Sequence, residues 1–251
     1  MILEALFRAT QRAGSYARAS GVAAEQAAIV GRFLRCRGAW RPHLERCRAF
    51  VRAAAEETPR SERVVVLGSG PLLDIPLAAL ARRFREVVLV DAAQPLHARL
   101  LAWRLGNVAA YPLSMVVVEG DRPVYRSWRH ATGTADLVVA SMLLSQLPPP
   151  RAPDAGAAWS RDLVAAALAD LQAGNEAVCL ITETARRIER PGAPARIEDP
   201  LYGVSPPQAC ATWEWQLAPP GERADGKRIV LGIAACLRPG GCNAWASVTR
   251  A

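Results

Sequence analysis

From Glu62 onward, short runs rich in β-branched residues alternate with stretches of helical composition, and this alternation constrains the fold of the 251-residue chain more than any other feature. The runs are RVVVLG (63–68), EVVLVD (86–91), SMVVVEGD (114–121), ADLVVAS (135–141) and EAVCLITET (176–184). Between several of them lie the helical segments PLAALARRF (76–84), PLHARLLAWRL (95–105) and SRDLVAAALADL (160–171). Strands this uniformly apolar are buried on both faces, so helices must cover both sides of the sheet. The crossovers between parallel neighbours are then right-handed.

The first 60 residues carry no run of this kind. They show a helical stripe instead: Ile29, Phe33, Cys36, Trp40, Leu44, Cys47, Val51 and Ala54 recur at spacings of three and four. Arg32, Arg35, Arg37, Arg46, Arg48 and Arg52 fall off the stripe and read as a solvated basic face. Pro42 interrupts it, and a proline inside a helix costs ~3 kcal/mol. Two helices meeting at GAWRPHL (38–44) are therefore expected, with Trp40 and His43 at the corner. The opening MILEALFRATQRAG reads as a short amphipathic helix, because Glu4 and Arg8 interrupt any secretory apolar core. An organellar transit peptide is the other reading of that start.

The formal net charge of +8 raises nucleic-acid binding as a function class. The arginines are spread along the whole chain without interleaved aromatics, and Lys227 is the only lysine, so no nucleic-acid partner is expected. No apolar stretch approaches the ~18 residues of a membrane span. Cys36, Cys47, Cys179, Cys210, Cys236 and Cys242 form no C-x-x-C pair and no Cys/His cluster. Reduced thiols, a cytoplasmic setting and no metal site follow as expectations.

The first strand runs into GSGPLLDIP (68–76). Gly68 and Gly70 permit backbone torsions and a close ligand approach that a Cβ would obstruct. Leu73 stands where the dinucleotide fingerprint has its third glycine, which counts against a pyrophosphate cofactor. Asp74, ahead of Ile75 and Pro76, reads as a helix cap whose carboxylate would compete with a phosphate for the same donors. Asp91 ends the second strand, 21 positions after Gly70. An acid there accepts hydrogen bonds from the two hydroxyls of a ribose, or caps the following helix.

Taken in order, VVVLGSG, VVLVD, VVVEGD and ADLVVASMLLSQLP resemble the successive strand motifs of the class I, seven-stranded S-adenosylmethionine-dependent methyltransferases. EAVCLITET resembles the fifth strand, and TWEWQLAP (212–219) with KRIVLGIAAC (227–236) resembles the closing antiparallel pair. The resemblance spans about Arg63 to Cys236. It implies an α/β, Rossmann-like, mostly parallel seven-stranded sheet with helices on both faces, a helical cap at 1–60 and a core at 61–251. It implies S-adenosyl-L-methionine as cofactor and a small-molecule or protein methyl acceptor. Gly68, Ser69 and Gly70 would line its methionine part, Asp91 would bind the ribose and Ala92 would lie along the adenosine. Asp121 would face the adenine amino group, or simply form a turn; Ser141 and Met142 would pass under the methyl group. Val66 departs from the family, many members of which carry an acid there.

No catalytic residue is assigned. Methyl transfer from a sulfonium needs orientation and a dry site more than a base. His43, His130, Glu183 and Tyr202 are the candidates for steering a proton, with Trp40, His43 and Tyr202 on the substrate side. LPPPRAPDAGAAW (147–159) and ERPGAPARIEDPLYGVSPP (189–207) are expected as loops over the active edge. A non-catalytic binding or scaffold protein of the same fold remains the alternative, and an NAD(P)-dependent oxidoreductase a more distant one. The dehydrogenase pattern Y-x-x-x-K is absent.

Overall fold

Residues 2–148, 157–242 and 244–245 are described in the structure, a computed structural model. The apolar runs build one eight-stranded sheet from β1 (Arg63–Leu67), β2 (Glu86–Asp91), β3 (Val108–Pro112), β4 (Leu137–Ser141), β5 (Ala177–Arg190), β6 (Ala193–Glu198), β7 (Ala211–Ala218) and β8 (Arg228–Arg238). Its order is β7-β8-β5-β4-β1-β2-β3, with β6 paired to the far end of β5. Strands β1 to β5 run parallel, whereas β8 is antiparallel to β5 and β7 to β8. The main path thus has seven strands, five of them parallel, closed by the antiparallel pair. This is the Rossmann-like arrangement expected from the strand pattern.

Alternation along each parallel strand feeds two apolar clusters, one per face. Val64, Val66, Val87, Leu89, Leu137 and Val139 belong to one cluster, and Val65, Leu67, Val88, Val90, Val138 and Ala140 to the other. The first is covered by α3 (Val22–Glu57) and α4 (Leu77–Arg83), the second by α7 (Ala157–Gln172). Three further helices are α1 (Ile2–Thr10), α2 (Ser15–Ala19) and α5 (Leu96–Leu105), and the short α6 (Arg129–Thr132) leads into β4.

α3 spans 36 residues as two helical stretches joined across a kink, so the expected meeting of two helices is present, but it falls at Cys36 and not at Pro42. Cys36 (φ −110°, ψ 20°) leaves helical torsions at that kink, and Trp40 and His43 lie a turn or two beyond it, inside the second stretch. Burial explains why Pro42 itself is tolerated inside the second stretch. Trp40, His43, Leu44, Cys47 and Val51 are all 6% exposed or less. Burying one large apolar side chain contributes ~1.5–3 kcal/mol, so a few together outweigh a single missing helix bond.

Other expectations are also corrected. The third strand of the sheet is Val108–Pro112, while VVVE (116–119) pairs with Arg122–Tyr125 in a separate two-stranded ribbon. β3 is an edge strand whose side chains are only half-buried, so its sequence carries a weaker apolar signal than the ribbon does. Within 189–207, expected as loop, Ala193–Glu198 forms β6 by folding back on β5 through the turn at Gly192 (φ 72°). Every residue of β6 before Glu198 is exposed, so no apolar alternation marks it. Arg12–Ala13 also pairs with Ala93–Gln94, in a region where no strand was expected. Of the other proline-rich stretch, residues 149–156 lie outside the described residues.

Candidate functional site

Register brings the site together. Leu67 pairs with Val90 on one side and with Ala140 on the other, so the next residues, Gly68, Asp91 and Ser141, emerge side by side at the carboxyl edge of the sheet. Strand order reverses at β1, which lies between β2 and β4, and a crevice opens at that switch point. Its volume is about 540 Å3. Gly68, Ser69, Gly70, Asp91, Ala92, Ser141 and Met142 all line it, as do Trp40, His43 and Tyr202.

Asp121 does not. It is exposed in the turn of the 116–125 ribbon, where Gly120 (φ 60°) reverses the chain. Ser114, Met115 and Val116, just after β3, line the crevice instead. His130 is exposed on α6 and lies outside the lining.

The glycine turn fits tightly around its neighbours. Gly68 has φ +65°, and a Cβ there would meet Leu143 Cδ1 at 2.9 Å. Ser69 N–H donates to Val90 O (3.1 Å), which ties the turn to β2. Ser69 is buried, and its hydroxyl has no partner among the described residues. Leu72, Met142 and Tyr202 are the non-glycine residues of positive φ (59°, 54° and 54°) among those described. Met142 and Tyr202 line the crevice and Leu72 belongs to its turn, a clustering of backbone strain typical of functional sites.

Two carboxylates face this space. Asp91 accepts from Gly70 N–H (2.8 Å), Ala93 N–H (2.9 Å) and Gln26 Nε2–H (2.7 Å). Burial nevertheless raises its pKa to about 6, because neutral donors only partly replace water around the charge. Asp74 does not cap α4, whose N-cap is Pro76 and lacks a side-chain bond. Its carboxylate reaches across to β4 and accepts a hydrogen bond from Ser141 Oγ. Burial raises its pKa as well, against the opposing pull of Ser141 and the weaker one of Arg48.

The N-terminal half of α3 crosses the mouth. Gln26, missed at the level of sequence, takes its place on Asp91 while accepting from Gln11 Nε2–H (3.0 Å). Farther along α3, His43 stacks on Trp215 (ring centroids 4.0 Å, 3° apart), and Trp40 meets Trp215 edge-on at 4.8 Å. Trp213 Nε1–H donates to His43 Nδ1 (3.0 Å). Burial lowers the His43 pKa to about 3, so this imidazole is neutral and a poor base. Glu183 is not a free base either: Arg186 clamps both its oxygens, at 2.9 and 3.1 Å. Arg186 lines the crevice and is the only basic side chain among the described lining residues.

No family model matches the chain, and no curated protein matches it. Solved structures do. The chain is similar to the Burkholderia thailandensis 1,6-didemethyltoxoflavin-N1-methyltransferase, solved with 1,6-didemethyltoxoflavin and S-adenosylhomocysteine (15% identity over 89% of this chain and 91% of that one, TM-score 0.39). It is also similar to DhpI in its S-adenosylhomocysteine complex (16%, 95% of both chains, TM-score 0.36). A third is CalS10, an amino pentose methyltransferase from Micromonospora echinaspora with S-adenosylmethionine bound (17%, 79% and 74%, TM-score 0.29). Likeness at this level says nothing about individual residues.

Proposed function

We propose that the chain is an S-adenosyl-L-methionine-dependent methyltransferase acting on a small-molecule or protein acceptor in the cytoplasm. The observation that carries this reading is a charge inversion. A chain of net charge +8 lines its switch-point crevice with Glu25, Asp74 and Asp91 and, among the described residues, with Arg186 as the sole cation. Glu25 is exposed, but Asp74 and Asp91 are desolvated with no ion pair among the described residues, which is costly and suits a ligand that brings its own positive charge. A dinucleotide would place its pyrophosphate against Asp74, with Leu73 where close helix packing wants glycine.

When bound, S-adenosylmethionine supplies a methyl group on a positively charged sulfur, which leaves as a neutral thioether with the electron pair of the broken bond. The chain's part is to bind, orient and exclude water. Asp91 and Gly70 would hold the ribose end, Ser69 and Asp74 the amino-acid end, and Ala92 with Met115 the adenine. Trp40, His43, Leu44 and Trp215 would keep the acceptor side dry. With His43 neutral and Glu183 clamped, an acceptor proton would pass to solvent.

Isothermal titration with S-adenosylmethionine, S-adenosylhomocysteine and NAD tests the reading. Binding of the first two without NAD supports it. Binding of NAD instead would favour an oxidoreductase, and binding of none of the three a scaffold protein.

A further inference from the structure

Three indoles surround His43, and they differ in one respect. Trp40 Nε1–H is spent on Leu217 O (3.0 Å) and Trp213 Nε1–H on His43 Nδ1 (3.0 Å). Trp215 Nε1–H has no partner among the described residues, although Trp215 is 9% exposed and lines the crevice. A buried donor left unpaired costs about 1–3 kcal/mol, which marks it as a place where a ligand atom belongs.

His43 presents a second donor. Because Nδ1 accepts from Trp213, the ring proton of the neutral imidazole resides on Nε2. Cys47 Sγ lies 3.7 Å from Nδ1 and 3.6 Å from Nε2. Near-equal distances to both nitrogens keep the sulfur off the line of the Nε2–H bond, since an atom on that line would lie much farther from Nδ1. No oxygen or nitrogen among the described residues takes that proton.

We propose that Trp40, His43 and Trp215 form the acceptor-recognition wall, and that it selects a flat ring bearing a carbonyl or ionised oxygen, which accepts hydrogen bonds from His43 Nε2–H and Trp215 Nε1–H. The exposed parts of the indoles and Leu44, which lines the same crevice, supply the apolar fit. Charge placement agrees. Of the crevice carboxylates, Asp74 and Asp91 belong to the glycine turn and the end of β2 and Glu25 to the first turn of α3, and none of the wall residues is acidic. Such a wall holds the acceptor through its oxygen and does not abstract a proton from it. The assignment rests on the methyl-transfer reading only in calling the ligand an acceptor.

The test uses the full chain, with and without saturating S-adenosylhomocysteine, titrated calorimetrically with 2-naphthoate and with 2-naphthylmethylammonium. These probes share a ring system and differ in the sign of the polar group. We expect naphthoate to bind at least about tenfold more tightly, and Trp215→Phe, which keeps a stacking ring and removes the donor, to weaken it about tenfold, ~1.4 kcal/mol. Affinity for S-adenosylhomocysteine should be unchanged in that variant. Nitrogen-15 NMR of the wild-type protein should show His43 as the Nε2–H tautomer, with that proton shifting when naphthoate is added. Equal or tighter binding of the ammonium probe, an indifferent Trp215→Phe, or an Nδ1–H tautomer would each overturn the assignment. Failure of S-adenosylhomocysteine to bind would overturn the methyl-transfer reading instead, and the naphthoate titration without it still reports on the wall.

Discussion

The two edges of the central sheet treat charge in opposite ways. At the amino edge carboxylates are matched with arginines: Arg63 with Glu86 at 2.7 Å, Arg129 with Asp170 at 3.0 Å, and Arg129 again with Glu176. At the carboxyl edge Asp91 has three neutral N–H donors, and Asp74 a serine hydroxyl with Arg48 as a lesser influence. The chain has 31 basic residues, so the contrast is not a shortage of cations. Charge is spent on stability at one edge and withheld from Asp74 and Asp91 at the other, where a ligand can supply it, although Glu183 there keeps Arg186.

The most forceful way to break this comparison is to remove the shared arginine. Arg129→Ala would take the arginine from Glu176 and leave Asp170 only the Tyr125 hydroxyl, with side chains just 6% and 12% exposed. Losing one partner of a buried pair costs 3–5 kcal/mol; with Arg129 itself 27% exposed, about 3 kcal/mol is expected. Urea denaturation checks the loss, and the folded variant should bind S-adenosylhomocysteine as the wild type does. Asp91→Ala should do the reverse. Cofactor affinity should fall by about 1.5–3 kcal/mol, as for hydrogen bonds to a charged group, while the urea midpoint moves less than in Arg129→Ala. An unchanged affinity in calorimetry would remove Asp91 from the binding site.

How much of this was legible depends on whether the determinant is local. β1, β2, β4 and β5 could be read directly, because strands buried on both faces must be apolar throughout. Gly68, Gly70 and Asp91 stood out for a related reason: chain register alone sets them at strand ends. β3 was missed since an edge strand needs little apolar content, and the more apolar 116–119 run misled. Pro42 argued for a junction at 38–44; the kink falls at Cys36, and tertiary burial keeps Pro42 inside the second stretch. Gln26 and Trp215 carry no local signal. Gln26 meets its partner 65 residues away, and Trp215 acquires its meaning only because its neighbour Trp213 reaches His43 across 170 residues.

Acidity sharpens the comparison next. Burial holds the Asp91 carboxyl at about 6 against an ordinary 3.8, so between those values the folded chain keeps a proton the unfolded chain has lost. That stabilisation is present at the acid end and gone once the pH passes about 6. His43, lowered to about 3 from 6.5, works oppositely: its contribution is complete above 6.5 and is lost as the pH falls toward 3. The two offset one another near pH 5, and Asp91→Ala should expose the His43 slope as a steeper acid loss of urea midpoint. Cofactor affinity should meanwhile fall by up to about tenfold per pH unit below about 6, since a protonated Asp91 is a weaker acceptor for the ribose hydroxyls. A flat affinity from pH 5 to 7 would argue against that contact.

The smallest effect belongs to the amino edge. Arg63 and Glu86 are 35% and 38% exposed, and water already screens them. Glu86→Gln should cost less than about 1 kcal/mol in urea denaturation, with cofactor affinity unaltered. Arg63 would keep its bonds to the carbonyls of Thr132 and Thr134, so the end of β1 stays anchored without the ion pair. A loss as large as that of Arg129→Ala would mean that pairing itself, and not the depth at which it is buried, sets the value of these contacts. The contrast between the edges would then have to be redrawn around charge number instead of desolvation.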